Sequence, residues 1–185
     1  MKPLYLPVVL ISLFLFSCGN KQDSTENNDL NENLVVVDKP FTVTVNLVAE
    51  KDDTFQVYFN EDGLDNYEAL DAVTLSFTGS KNSQDLVFNF PEEVSPMALR
   101  FDIGANKDLN QVVINSFKIE YKQKGIEIKG VDFSKYFTPN PQVKYDSSKS
   151  TANIEIDETV LYDPIFLPTP ELKKLIQTLY SEKSE

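Results

Sequence analysis

The feature that most constrains this chain is a two-residue alternation of apolar and polar side chains, which begins near Leu34 and recurs along most of the sequence. Successive side chains of a β-strand point to opposite faces, so this period is typical of strands that bury only one face. Eight runs carry it. Their apolar members are Phe41, Val43, Val45 and Leu47; Phe55, Val57 and Phe59; Val73, Leu75 and Phe77; Leu86, Phe88 and Phe90; Met97, Leu99, Phe101 and Ile103; Phe117, Ile119 and Tyr121; Ile126 and Ile128; and Ile154 and Ile156.

Turn-forming residues separate these runs where a strand would have to reverse. They are Asp62-Gly63, Thr78-Gly79-Ser80, Gly104-Ala105-Asn106 and Lys124-Gly125. Clean alternation favours antiparallel sheets that each have one solvated face. We therefore predict one all-β domain over residues 34–160, an antiparallel β-sandwich of about eight strands.

The C-terminal part of the chain has a different pattern. Residues 131–150 lack alternation and contain Pro139-Asn140-Pro141, which predicts a long loop. Thr169-Pro170-Glu171 has the order of a helix N-cap and first turn, so we predict a C-terminal extension over 161–185 with a short α-helix. The helix has an apolar stripe, formed by Leu172, Leu175, Ile176 and Leu179. The stripe either docks on the domain's own sandwich or binds a partner.

The N-terminus has the features of an export signal. The apolar stretch 4–16 is too short to cross a bilayer as a helix, and it reads as the core of a signal peptide over 1–17. The run Leu15-Phe16-Ser17-Cys18 that closes it resembles the lipobox of bacterial lipoproteins. That resemblance implies cleavage before Cys18 and attachment of lipid to its sulfur. An ordinary secretory signal is the alternative.

Residues 18–33 are polar and acidic, a composition that buries too little surface to fold, so we predict a flexible tether. Its acidic character resembles signals that some outer-membrane lipoproteins carry for display on the cell exterior. The alternative is a plain solvated linker. We expect an outer-membrane protein held by lipid on Cys18, with its periplasmic or cell-surface side left open.

The net charge and the residue types that the chain lacks argue against several classes of function. The formal net charge is −12, which argues against binding nucleic acid and against docking on anionic lipid by charge. The chain has no histidine, and lipidation would remove its one cysteine, so the usual general base, zinc ligand and thiol nucleophile are missing. Gly125 and Gly130 have phosphate-loop spacing but are followed by Val131-Asp132, not by Lys-Ser/Thr. We predict a protein that is not an enzyme and needs no cofactor.

One acidic segment has oxygen ligands of the type that calcium prefers. It spans residues 60–66, and Asp62 and Asp65 are its candidate ligands. The segment does not match the twelve-residue helix-loop-helix pattern. The alternative is an acidic turn in which Asp and Gly supply the turn geometry.

Two sets of outward-facing polar residues are candidates for ligand binding. Arg100, the only arginine, shares a strand face with Asp102, and a donor fork beside an acceptor suits sugar hydroxyls or a carboxylate. Gln56, Tyr58 and Asn60 share another face and combine an aromatic ring with amide groups. The alternatives are an Arg-Asp pair on a solvated face and a cross-strand packing face with a surface tyrosine.

The strand segments 86–91, 97–104 and 112–119 look like jelly-roll modules of the galactose-binding-like type, which occur in bacterial envelope and glycan-processing proteins. The resemblance covers residues 41–130 and implies an eight-stranded jelly roll with a possible sugar ligand.

Three functions follow as hypotheses. The first is a non-catalytic envelope lipoprotein that binds a glycan or another envelope component. The second is a structural or interaction subunit that meets a protein partner through residues 131–170 and the C-terminal helix. The third is a glycoside hydrolase that uses two carboxylates.

Overall fold

The protein is described by a computed structural model that covers residues 39–181. Its eleven strands form two antiparallel sheets packed as a β-sandwich, which confirms the predicted fold class. The strands are β1 Thr42–Ala49, β2 Asp53–Asn60, β3 Ala72–Phe77, β4 Ser80–Asn89, β5 Ala98–Asp102, β6 Gln111–Tyr121, β7 Lys124–Lys129, β8 Phe137–Pro139, β9 Val143–Asp146, β10 Thr151–Ile154 and β11 Ile165–Pro168. Sheet A has the order β4-β1-β6-β10-β9, with β7 also paired to β6, and sheet B has the order β3-β2-β5-β11-β8.

The core lies between the two sheets and is rich in phenylalanine. The alternating apolar side chains of β1, β2 and β6 are buried as their pattern predicts. Phe117 of β6 packs edge-on against Phe137 of β8 at a ring-centroid distance of 4.9 Å, and Phe133 stacks on Phe137 at 4.4 Å. Phe166 of β11 meets Phe133 edge-on at 5.1 Å. Aromatic pairs of this geometry stabilise the core beyond the burial of their area.

The loop predicted over residues 131–150 is wrong for much of its length. A 3₁₀ helix over Gly130–Asp132 and a short helix α1 over Phe133–Tyr136 lead into β8, and β9 follows. These strands have three and four residues, too few to show an alternation. Pro139 lies in β8, which is an edge strand of sheet B, where a missing N–H is tolerated.

Two C-terminal segments also differ from the prediction. The strand expected around Ile154 and Ile156 is β10, which ends at Ile154 and leaves Ile156 exposed. β11, in the region predicted as a C-terminal extension, is an inner strand of sheet B between β5 and β8. Its Phe166 is fully buried, so the segment completes the sandwich.

The C-terminal helix α2, Pro170–Tyr180, begins where the sequence predicts. The backbone N–H of Leu172 donates to the Thr169 hydroxyl at 3.3 Å, as an N-cap requires. Leu172, Ile176 and Leu179 are buried in the core of the domain, so the stripe docks on its own sandwich. At the other end of the helix, Lys124 donates to the carbonyl of Thr178 at 3.2 Å and also to that of Ser181.

The remaining predictions for the N-terminus, namely the signal peptide, the lipid on Cys18 and the tether over 18–33, lie outside the described residues. Between residues 39 and 181, no helix is long and apolar enough to span a membrane.

Candidate binding site on sheet B

Strands β2 and β5 are neighbours in sheet B, and their register brings four of the predicted site residues together. Tyr58 lies opposite Arg100, and Gln56 lies opposite Asp102. Because the intervening residues of both strands are buried in the core, these four side chains share the outer face of the sheet. The two candidate sets from the sequence therefore form one surface.

Arg100 and Asp102 form a shielded, bidentate pair. Nε of Arg100 donates to Oδ1 of Asp102 at 2.8 Å, and Nη2 donates to Oδ2 at 2.6 Å. The guanidinium carbon lies 4.4 Å from the ring centroid of Tyr58 and 6.0 Å from that of Tyr67. Only 19% of the Arg100 side chain and 10% of the Asp102 side chain are exposed. The pair is therefore mostly shielded from solvent and does not lie on a freely solvated face, which was the alternative interpretation.

Burial and mutual contact change the pKa values of both members of the pair. Burial raises the pKa of the Asp102 carboxyl, and the hydrogen bond and charge of Arg100 offset part of that rise. The hydrogen bond to Asp102 raises the pKa of the Arg100 guanidinium. A second carboxylate, Asp163, lies 3.8 Å from Nη2 of Arg100 and is about half exposed. The single arginine thus holds one buried acceptor in place and faces a second that is open to solvent.

A cleft of about 380 Å³ opens at the Asp102 end of this face, and we call it the sheet B cleft. Thr54, Gln56 and Asp102 line it from the sheet. The turn after β5 contributes Lys107, and the segment before β11 contributes Tyr162 and Asp163. The cleft therefore combines an amide, two carboxylates, an ammonium group and an aromatic ring.

The wall formed by residues 104–107 is fixed by Asp53. Its Oδ1 accepts hydrogen bonds from the backbone N–H groups of Ala105 at 2.7 Å and Asn106 at 3.0 Å. Gly104 has φ +119°, and a Cβ there would lie 2.2 Å from Oδ2 of Asp53, so only glycine fits. The backbone of this wall therefore lies close against the carboxylate of Asp53.

The segment before β11 forms the second wall of the cleft, and it is joined to the wall over residues 104–107. The Tyr162 hydroxyl donates to the carbonyl of Asn106 at 3.2 Å, and Lys107 lies 6.0 Å from the Tyr162 ring centroid. Burial, with a smaller effect from the Asp53 charge, raises the pKa of Tyr162 to about 12. Its hydroxyl therefore remains a donor in alkaline solution as well as at neutral pH, and the link between the walls persists there.

Asn60 does not join the cleft. Its side chain amide donates to the carbonyl of Asn66 at 3.1 Å and also to that of Leu64, and its oxygen accepts from the N–H of Gly63 at 3.0 Å. These bonds organise the loop over residues 60–71. Asn60 therefore has a role in the fold of this loop.

The carboxylates predicted to bind calcium have protein partners. Asp62 accepts from the N–H of Leu64 at 2.8 Å, and Asp65 pairs with Lys173 of α2 at 2.8 Å. Within the described part of the chain, no three His, Cys, Asp or Glu side chains gather in a group that could hold a metal ion. The geometry is that of an acidic turn.

A larger cleft of about 440 Å³ lies at the β6–β7 hairpin. Lysines and glutamates line it, and none of the described residues that line it is aromatic. Glu120 pairs with Lys118 at 3.0 Å and with Lys39 at 3.7 Å. Lys124 is bound to carbonyl groups at the end of α2. We therefore place the candidate ligand site on sheet B.

Sequence reasoning missed four residues of the site region: Tyr67, Lys107, Tyr162 and Asp163. The last two lie about 60 residues beyond Asp102 in the chain, in a segment that the sequence assigned to an extension. Tyr67 lies in the loop after β2, and burial raises the pKa of its hydroxyl, which has no hydrogen-bond partner among the described residues. Tyr67 and Tyr162 are each the one tyrosine of an acidic loop, and this is the local signal that could have indicated them and Asp163. Lys107 has no such signal.

Comparisons with protein-family models, with curated proteins and with solved structures found no match.

Proposed function

We propose that this protein is a lipid-anchored, non-catalytic binding protein of the bacterial envelope that takes a glycan in the sheet B cleft. One observation carries the proposal. Gln56 and Asp102, chosen from the sequence as sugar-binding candidates, line the same cleft as an aromatic ring and a lysine.

The chemistry of the cleft suits a sugar. Sugar hydroxyls both donate and accept hydrogen bonds, and the cleft offers acceptors in Asp102 and Asp163, a donor in Lys107, and both in the amide of Gln56. Tyr162 gives the cleft an aromatic surface for the C–H groups of a sugar ring. The volume of about 380 Å³ lies in the range of small-molecule sites, roughly 300–1,000 Å³.

A glycan array followed by calorimetry tests this function. We expect at least one oligosaccharide to bind. Asp102→Asn should weaken it roughly tenfold or more, since a lost hydrogen bond to a charged group costs about 1.5–3 kcal/mol. Gln56→Ala should weaken it roughly two- to tenfold, since a lost neutral hydrogen bond costs about 0.5–1.5 kcal/mol. Gln123→Ala, in the lysine-lined cleft of the β6–β7 hairpin, is the control and should leave binding unchanged. An absence of binding at millimolar sugar would rule out the glycan proposal.

The anchor is proposed from the sequence run that ends in Cys18. Metabolic labelling with an alkyne fatty acid should attach label to the wild-type protein and not to Cys18→Ser. The variant should be released from the membrane fraction, because one acylated residue provides the attachment. Wild-type protein without label would favour an ordinary secretory signal, and label retained by Cys18→Ser would show that lipid is attached elsewhere.

The non-catalytic assignment rests on residue types, since the chain has no histidine and its one cysteine is assigned to lipid. Incubation with chromogenic glycosides should give no turnover. Turnover that disappears on replacement of Asp102 or Asp163 would instead assign the cleft to a hydrolase that uses two carboxylates.

A further inference from the structure

We propose that the loops over residues 60–71 and 155–164 form a docking surface for a cationic, amphipathic segment of a protein partner. The inference concerns the rims around the outer face of sheet B, and it does not depend on a glycan in the sheet B cleft.

Both loops border the same face of the sandwich, and Arg100 shows this. Its guanidinium carbon lies 6.0 Å from the ring of Tyr67, which belongs to the first loop. Its Nη2 lies 3.8 Å from Asp163, which belongs to the second. One side chain thus spans the distance between them, so a single extended segment could contact both.

The tips of these loops expose most of the large apolar side chains on the described surface. Seven such side chains are exposed between residues 39 and 181, and five of them lie on the two loops. The five are Leu64, Leu70, Ile156, Val160 and Leu161. Leu70 is 93% exposed and Leu161 is 86% exposed, whereas Val87 and Val131 lie on other surfaces and are about half exposed. The concentration of exposed apolar side chains on these two loops is the basis for inferring an interaction surface.

The same loops are strongly acidic. They contain nine acidic residues and no lysine or arginine. Three of the nine are paired: Asp65 with Lys173, Glu155 with Lys144, and Asp163 with Arg100. The other six form no ion pair with residues 39–181; they are Glu61, Asp62, Glu68, Asp71, Asp157 and Glu158.

This combination specifies the chemistry of the partner. Unpaired carboxylates attract a segment rich in lysine or arginine, and the apolar tips bind its hydrophobic side chains once it has arrived. Nucleic acid and anionic lipid are repelled by the same charge. A positively charged protein segment with alternating apolar anchors fits both features.

Fluorescence anisotropy with three labelled twelve-residue peptides tests the proposal on the purified protein. The probes alternate lysine with leucine, lysine with serine, and glutamate with leucine. We expect the lysine–leucine peptide to bind most tightly and to weaken about tenfold between 50 and 300 mM salt, because exposed charges are screened. Equal binding of the lysine–serine peptide, or no binding of the lysine–leucine peptide, would overturn the proposal.

Matched variants locate the surface. Leu70→Ser with Leu161→Ser, and separately Glu68→Gln with Glu158→Gln, should each weaken the lysine–leucine peptide at least fivefold. The control pairs, Val87→Ser with Val131→Ser and Glu50→Gln with Glu127→Gln, should change binding less than twofold. All substituted side chains are exposed, and an unchanged circular dichroism spectrum and melting temperature would establish folding. A control pair that weakens binding as much as the loop pair would contradict the assignment.

The glutamate pair separates this test from that of the glycan, whereas Leu161 also lines the sheet B cleft. Glu68 and Glu158 do not line the sheet B cleft, so their double variant should lose the peptide and keep any oligosaccharide.

Discussion

At the scale of single residues, the Arg100–Asp102 pair determines the character of the outer face of sheet B. Both side chains are mostly shielded, and the pair lies between two tyrosine rings. When one partner is removed, the other is left poorly solvated and unpaired. When both are removed, no unpaired charge remains.

We expect Arg100→Met alone to lower the free energy of unfolding by about 2–4 kcal/mol, for that reason. The double variant Arg100→Met with Asp102→Leu should recover most of the loss, because no unpaired charge remains. Urea unfolding of the two single variants, the double variant and the wild type gives the comparison. A double variant that loses the sum of the single losses would show that the pair is not coupled.

The pKa of Asp102 predicts a pH dependence. In the folded chain, burial raises this pKa above its ordinary value of 3.8, although Arg100 offsets part of the effect. Folding therefore favours the protonated form, so the contribution of Asp102 to stability is complete below pH 3.8 and is lost as pH rises through the folded pKa. The stability of wild type relative to Asp102→Asn should fall over that window in urea titrations. A relative stability that rises with pH would mean that the folded pKa is lowered.

Gly104 makes the wall of the sheet B cleft possible, and its replacement should disturb both fold and site. Gly104→Ala places a Cβ 2.2 Å from Asp53 at φ +119°, so we expect a loss of about 1–3 kcal/mol in stability. Gly125→Ala is the matched control, because its nearest contact is an ordinary 3.5 Å and its φ is not in the left-handed region. Thermal unfolding measures both, and equal melting temperatures would contradict the account.

At the scale of elements, the long strands were predictable and the short ones were not. β1 and β2 have eight residues each and alternate through four and three buried apolar positions, which fixes both their type and their buried face. β8 and β11 have three and four residues, and they form because their neighbours in sheet B supply hydrogen-bonding partners. These hydrogen bonds depend on the tertiary structure, so no local pattern in the sequence predicts the two strands.

The C-terminal helix was predictable in position but not in partner. Its cap and stripe are local features, whereas the surface that receives the stripe is made by both sheets. We expect Ile176→Ala to cost about 2–4 kcal/mol because it leaves a cavity in the core. Gln177→Ala, one position along on the exposed side, should change stability by less than about 0.5 kcal/mol in the same denaturation experiment. Equal effects would place α2 outside the core.

At the scale of the whole molecule, the candidate site could be predicted only in part. The alternation shows that Gln56, Tyr58, Arg100 and Asp102 face outward, but their meeting depends on the pairing of β2 with β5. These strands are about 40 residues apart in the chain, and no local signal fixes which strands become neighbours in a sandwich. One wall of the sheet B cleft directly follows β5, but the other, over residues 160–163, lies about 60 residues further along the chain. The sequence therefore predicted the polar face and missed the cleft.

The net charge of −12 also proved uneven in its distribution. Lysines gather around the β6–β7 hairpin, where two of them pair with Glu120 and a third donates to helix carbonyls. The loops beside sheet B contain nine acidic residues and no lysine or arginine. A single value for the whole chain describes neither surface. The kind of partner that each surface attracts therefore depends on its local charge and not on the net charge of the chain.

An NMR titration with the best oligosaccharide from the glycan array shows whether the sheet B cleft binds a sugar. We expect chemical-shift changes that saturate with sugar and are confined to the sheet B cleft, at Gln56, Asp102, Ala105, Lys107 and Tyr162. Amides at the β6–β7 hairpin should not shift. Saturating shifts at that hairpin, with none around Asp102, would contradict this expectation.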